Sequence, residues 1–217
     1  MKGYNVRFVV AAWLVSVGVG CTSAPVRYYT LTPPPAKTWP ASETTLAIDV
    51  RVVHIPPQLN RAELMVRTGP GEVTLLENER WESPVKDEIK DALRLELQRR
   101  LGGMTGLPPG FTRVTLDIDV QHLEAEFGRY ALLEASWRAT LSAAGPPPTG
   151  ARATSCTFHA DEKIHAGYAG IVEGYQREIT ALADAIAAAL ASLANGIDAA
   201  CQKSIEGSAG GSGSKNH

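Results

Sequence analysis

Hydrophobic and polar residues alternate through the middle of the chain, whereas in two other segments the hydrophobic residues recur every three or four positions. Alternation predicts strands with one buried face, and the longer spacing predicts helices with an apolar stripe. The predicted strands cover residues 46–52, 64–67, 73–76, 114–120, 133–141 and 152–160, and an edge strand is expected at 26–31. The predicted helices cover residues 83–101 and 171–197.

Glycine, proline and serine mark the ends of several of these elements. Gly69-Pro70-Gly71 separates two predicted strands and indicates a hairpin. Ser83 and Pro84 indicate the start of the first helix, because serine can cap open amides and proline suits the first helical position. The apolar stripe of the second helix is compatible with a coiled-coil seam, but packing onto a sheet is the favoured interpretation.

Together these elements predict an α+β fold: a single domain with an antiparallel or mixed β-sheet and two helices packed on one face. The length of 217 residues suits one domain with appendages. We expect a signal peptide at residues 1–20 and a lipidated N-terminus at 21–45, with an edge strand and a proline-rich tether. The domain itself is expected at 46–201, followed by a flexible glycine- and serine-rich tail at 202–217.

The N-terminus has the composition of a secretory signal peptide. Two basic residues precede an apolar run at 8–19, which is shorter than the roughly 20 residues that a membrane-spanning helix needs. Cys21 follows in a context that resembles the bacterial lipobox, so we predict that Cys21 is lipidated. Gly18 departs from the leucine usual in that motif, and a plain secretory signal is the alternative. Thr22, in place of aspartate, points to the outer membrane.

Composition and charge narrow the function classes. With 44% hydrophobic residues the chain can form a core, and its net charge of −2 gives no positive field for nucleic acid, which is not an expected partner. The chain has three cysteines. If Cys21 carries lipid in an oxidising compartment, Cys156 and Cys201 are candidates for a disulfide, with two buried free thiols as the alternative.

The sequence contains no motif typical of catalysis, phosphate binding or zinc binding. His159 and Asp161 could meet His165 at a metal ion, but histidines without a ligand role are the favoured interpretation. Asp117 and Asp119 alternate with the apolar face of a strand, so we expect them to face solvent rather than to form a catalytic pair. We therefore predict no enzyme activity, no cofactor and no metal site.

Four short runs, taken in their order and spacing, resemble the ABC-type transport auxiliary lipoprotein family. They are YYTL at residues 28–31, IPPQLNRAELMVR at 55–67, ERWESP at 79–84 and LLEASW at 132–137. The resemblance covers roughly residues 26–200. This family includes the lipoprotein of the paraquat-inducible intermembrane transport system.

The resemblance implies a non-enzymatic lipoprotein, anchored in the outer membrane and facing the periplasm, that docks or scaffolds a lipid transport system. Its partners would be an MCE-domain protein and an ABC permease and ATPase, and a homo-oligomer is left open. An envelope assembly or maintenance lipoprotein and a periplasmic lipid carrier are the alternatives, and a secreted hydrolase ranks last.

Three residues are candidates for binding. Arg61 and Arg67 flank a predicted strand and could meet acidic groups of a partner or lipid phosphate, or they could be solvated strand charges. Trp81 precedes the first helix, where a packed aromatic side chain is favoured over a ligand platform.

Overall fold

The computed structural model describes residues 24–32, 46–101, 112–142, 151–195 and 201. Seven strands and two helices occur in these residues. In chain order they are β1 (Arg27–Tyr29), β2 (Leu46–His54), β3 (Glu63–Gly69), β4 (Glu72–Trp81), α1 (Val85–Leu101), β5 (Thr112–Glu126), β6 (Tyr130–Ser142), β7 (Arg152–Lys163) and α2 (Tyr168–Ala194).

The strands form one mixed sheet in the order β1-β4-β3-β5-β6-β7, with β2 also paired to β5. β5, β6 and β7 are antiparallel neighbours, and β3 and β4 form an antiparallel hairpin. β1 runs parallel to β4, while β2 and β3 run parallel to β5. β2 lies along the first part of β5. β3 pairs with the last residue of β5, through Arg67 of β3 and Glu126 of β5. The tip of the β3–β4 hairpin therefore lies beyond the end of β5.

The core lies between the sheet and the two helices. Successive residues of a strand point to opposite faces, so every second residue of β5, β6 and β7 faces the helices. The large side chains that are almost fully buried include Ile89, Leu93, Leu97, Leu116, Ile118, Leu133, Ile171, Ile179, Leu182 and Ile186. Burying each such side chain contributes about 1.5–3 kcal/mol. Both helices contact the sheet and each other, so they cover the same face.

Gly174 sets how closely α2 approaches the sheet. A Cβ atom at this position would lie 2.5 Å from Cγ2 of Ile164 and 2.9 Å from Cβ of Ala131. Real Cβ atoms do not approach other atoms so closely, so the absence of a side chain lets α2 lie directly against β6.

The predicted fold class is confirmed: the chain forms a single α+β domain with two helices on one face of the sheet, and the sheet is mixed. The stripe of the second helix packs onto the sheet, and its last predicted residue, Ile197, lies outside the described residues. The start of α1 differs from the prediction. The Ser83 hydroxyl donates to Oε1 of Glu88, 2.8 Å away, instead of accepting from an amide of the helix. None of the helices in the described ranges is long and apolar enough to cross a membrane.

Candidate functional site

The sheet face opposite the helices, which we call the open face, is polar. Its side chains alternate with the core residues of β5, β6 and β7, and they include Asp117, Asp119, Glu124, Glu134, Ser136, Arg138, Thr157 and His159. Asp119, Arg138 and Thr157 are exposed. An antiparallel sheet can expose one face when that face is polar, as it is here. The open face is thus a broad, rigid surface whose side chains are held by backbone pairing.

Strand register brings two histidines to one carboxylate on the open face. His122 pairs with Glu134 in the β5–β6 ladder, and Glu134 pairs with His159 in the β6–β7 ladder. Nδ1 of His159 lies 2.8 Å from Oε1 of Glu134, and Nε2 of His122 lies 3.6 Å from Oε2. Among the described residues, no group of three or more histidine, cysteine or acidic side chains is arranged to hold a metal ion. The contacts among His122, Glu134 and His159 are therefore polar contacts between neighbouring strands.

Other charges on this face are also paired. The Arg51 guanidinium donates two hydrogen bonds to Asp117, at 3.1 and 2.9 Å. A depression of about 500 Å³ opens beside this pair. Polar side chains around it include His54, Asp119, Ser136, Arg138 and Thr157. Ile118, Trp137 and the Cys156–Cys201 pair also line the depression, so its polar and charged side chains lie beside apolar groups.

Arg67 and Glu124 form an ion pair where the hairpin meets β5. Nε of Arg67 donates to Oε1 of Glu124 at 2.6 Å, and Nη2 donates to the second oxygen. The Tyr130 hydroxyl also donates to Oε1, at 2.5 Å. The hydrogen bonds from Arg67 outweigh burial and, with that from Tyr130, lower the pKa of Glu124. Arg67 is therefore already engaged within the molecule.

β1 is fastened to the domain by two buried carboxylates. Glu79 accepts hydrogen bonds from the Arg27 guanidinium and from the Tyr29 hydroxyl, the latter at 2.7 Å. Burial opposes ionisation of Glu79, but these bonds leave its pKa lowered. Burial and the bond to Glu79 raise the pKa of Tyr29 to about 12. Glu88 accepts from the Thr30 hydroxyl at 2.7 Å and from the Leu31 amide at 2.8 Å.

The three candidate binding residues do not meet at one site. Arg61 is exposed in the loop before β3 and donates to the backbone oxygen of Gln58 at 3.2 Å. Arg67 is paired on the sheet. Trp81 is 4% exposed at the end of β4, and its ring lies 6.2 Å from that of Tyr175 in the core.

The three cysteines are placed as follows. Cys21, the predicted lipidation site, lies outside the described residues. The structure pairs Cys156 with Cys201, with their Cα atoms 5.5 Å apart. Cys156 is buried on β7, and Cys201 is exposed.

Sequence reasoning missed the carboxylates that carry most of these contacts. Glu79, Glu88, Glu96 and Glu178 are all buried, and the first three have hydrogen-bond partners. Glu178 is different, because neither of its side-chain oxygens has a hydrogen-bond partner. Its position within the apolar stripe, between Tyr175 and Leu182, was the available signal.

Comparison with known proteins finds one matching family model. The model of the ABC-type transport auxiliary lipoprotein component family matches residues 29–187, from the last residue of β1 into α2. No curated protein sequence matches the chain significantly.

The chain is also similar to three solved structures, to different degrees. The chain resembles an uncharacterized protein at 20% identity and a TM-score of 0.57, covering 76% of this chain and 97% of that one. A Xanthomonas campestris protein of the DUF330 family gives 16% identity, a TM-score of 0.49 and coverages of 76% and 93%. A Caulobacter crescentus protein described as a lipoprotein gives 19% identity and a TM-score of 0.35, covering 50% of this chain and 84% of that one. At this identity the first likeness concerns the fold alone.

Proposed function

Because the chain belongs to the ABC-type transport auxiliary lipoprotein family, we propose that it is a docking component of an MCE-type intermembrane lipid transport system. In this proposal it is anchored in the outer membrane and faces the periplasm. The family match supports the proposal most directly, because it extends over nearly all of the folded domain.

The domain contributes binding rather than chemistry in this proposal. ATP hydrolysis belongs to the ABC ATPase, since this sequence has no phosphate-binding loop. The carboxylates that are buried or paired, such as Glu79 and Glu124, are used to hold strands together. The function therefore rests on where the domain is held and on which surface it presents.

Two covalent features belong to the proposal. Acyl chains on Cys21 would anchor the protein, since each buried methylene contributes about 0.8 kcal/mol to membrane binding. The pairing of Cys156 with Cys201 supports a disulfide in the mature protein, which suits an oxidising periplasm.

We assign docking of the MCE-domain partner to the open face. The helices cover the other face, and the open face presents charged and polar groups that strand pairing holds in place. Arg138 is exposed at the centre of this face, beside the depression. Charge complementarity at such a surface gives specificity and association rate more than affinity.

Affinity purification from membranes in mild detergent tests the proposal. The tagged protein should recover an MCE-domain protein, and Arg138→Glu should reduce that recovery. Lys86→Glu, at an exposed position of α1, is the charge-reversal control and should leave recovery unchanged. Repeated absence of an MCE-domain protein would refute the transport role. Equal recovery with both variants would refute only the assignment to the open face.

A further inference from the structure

Exposed apolar side chains are concentrated near the N-terminal strand and one end of the sheet. The large hydrophobic side chains exposed in the described residues are Val26, Tyr28, Val73, Leu75 and Phe127. Val73 and Leu75 pair with Arg67 and Met65 of β3, so they lie on the same side of the hairpin. Phe127 lies in the β5–β6 turn. The pairing of Arg67 with Glu126 brings that turn beside the hairpin.

The tip of the β3–β4 hairpin is also poor in charge. Residues 68–76 read TGPGEVTLL and contain a single charged residue, Glu72. Val73 is 50% exposed and Leu75 is 41% exposed. Exposed apolar side chains gathered at one end of an otherwise polar domain are typical of a surface that contacts a membrane or a protein.

The direction of β1 relates this end to the anchor. β1 is parallel to β4, so the chain that precedes β1 comes from the side of the hairpin tip. Ala24 and Pro25 confirm this direction, because they line a depression together with Leu76 and Glu77 of β4. Ala24 and Pro25 therefore lie alongside the hairpin.

The anchor cannot hold the domain far from the membrane. Cys21 precedes Ala24 by three residues, and an extended chain spans at most about 3.5 Å per residue, so the two lie within about 10 Å. The hairpin continues for five residues from Leu76 to Gly71, about 17 Å at the rise of a strand. The hairpin tip thus reaches further toward the anchored end than the linker does.

Detachment of β1 from the sheet would lengthen this linker, but two carboxylates hold β1 in place. Glu79 binds both Arg27 and Tyr29, and Glu88 binds Thr30 and the Leu31 amide. The proline-rich segment, residues 32–44, follows β1 in the chain and so does not separate the anchor from the domain.

We infer that the hairpin tip, with Val73 and Leu75, rests together with Phe127 in the interfacial layer of the membrane that holds the anchor. The inference depends on the proposed lipidation of Cys21. A bilayer is favoured over a protein partner because the short linker keeps this end at the bilayer whether or not a partner is bound. Interfacial contact by apolar groups next to a lipid anchor adds a second attachment and fixes the orientation of the domain.

Hydrogen–deuterium exchange of the mature lipidated protein tests the inference. The protein is placed in vesicles of phosphatidylethanolamine and phosphatidylglycerol. It is compared, in the presence of the same vesicles, with the mature chain that begins at residue 21 and carries Cys21→Ser. Amides of residues 69–76 should exchange several-fold more slowly in the anchored protein. Amides at the start of β7, which lies at the opposite end of the sheet, should exchange equally in both samples.

A variant pair separates membrane contact from anchoring. Val73→Ser with Leu75→Ser changes two exposed side chains, so the fold should persist and the slowing should be lost. Ala153→Ser, at the exposed start of β7, is the control and should retain the slowing. Relative to the original chain, Val73→Trp should add fluorescence that shifts to the blue on vesicles, whereas the fluorescence that Ala153→Trp adds should not shift.

The outcomes distinguish the inference from the proposed function. Mass spectrometry that shows no acylation would overturn the anchor and the inference with it. An acylated protein whose hairpin exchanges equally on and off vesicles would overturn the inference and leave the docking role intact. Slowing that requires an added MCE-domain protein would also overturn it, because the hairpin would then contact protein.

Discussion

Glu178 makes the stability of this domain depend on pH in a way that a single substitution can remove. The side chain lies on α2, is 0% exposed, and has no hydrogen-bond partner at either oxygen. Burial raises its pKa to about 9, and the negative charges of Glu162 and Asp161 add to the effect. The positive charge of Arg177 opposes the shift without reversing it.

The raised pKa of Glu178 determines the direction in which the stability of the fold changes with pH. The unfolded chain releases the proton of Glu178 near pH 4.5, whereas the folded protein keeps it until about pH 9. Stability linked to this group is therefore fully present below pH 4.5 and is lost progressively as the pH rises to about 9. The loss is about 1.4 kcal/mol per pH unit, or roughly 3 kcal/mol at pH 7.

Glu178→Gln keeps the shape of the protonated acid and cannot ionise. The free energy of unfolding of the variant, relative to the original chain, should therefore increase from pH 5 to pH 8 with this slope. Urea titrations at each pH measure it, with disulfides left intact. Glu173→Gln, at an exposed position of the same helix, is the control and should show no such slope. If the difference in the free energy of unfolding between Glu178→Gln and the original chain stays constant with pH, the reasoning is refuted.

Three further perturbations test other parts of the structure by urea unfolding. Glu124→Gln should cost about 1 kcal/mol at pH 7 by weakening the pair with Arg67. Because the pKa of Glu124 is lowered, this difference should vanish as the pH falls through its folded value, and a difference that persists in acid would contradict the ion pair. Gly174→Ala should cost about 1–3 kcal/mol through its clash with Ile164, despite the better helix propensity of alanine, and an unchanged stability would contradict the close approach of α2. Cys201→Ser should cost roughly 4 kcal/mol if the disulfide is present in the mature protein, and no loss would indicate free thiols.

Local patterns predicted the elements well because strand and helix periodicity depends on residues that are neighbours in the chain. The hairpin around Gly69 and the two helices lie where the apolar spacing placed them. Ser83 was assigned the wrong partner for a tertiary reason. Glu88 folds back to accept from the Ser83 amide and hydroxyl while it also holds the Leu31 amide, 57 residues away.

The candidate site was less predictable, since its contacts join residues that are distant in the sequence. Arg67 was predicted to be a candidate binding residue, but its partner Glu124 lies 57 positions away in the sequence. His122 and His159 are far apart in the sequence, and two strand ladders align both with Glu134. Pairing of this kind depends on register, and shifting a strand by one residue would move every side chain to the other face.

The sequence by itself determined the α+β class, the family resemblance and the predicted signal with Cys21, because these depend on composition, periodicity and short motifs. Only the tertiary structure decided that β1 pairs in parallel with β4 and that Glu178 is buried without a partner. It also decided that Ala24 and Pro25, just before β1, lie on the side of the hairpin tip. These features depend on which faces and ends meet when the chain packs, and neighbouring residues in a sequence carry little information about such distant contacts.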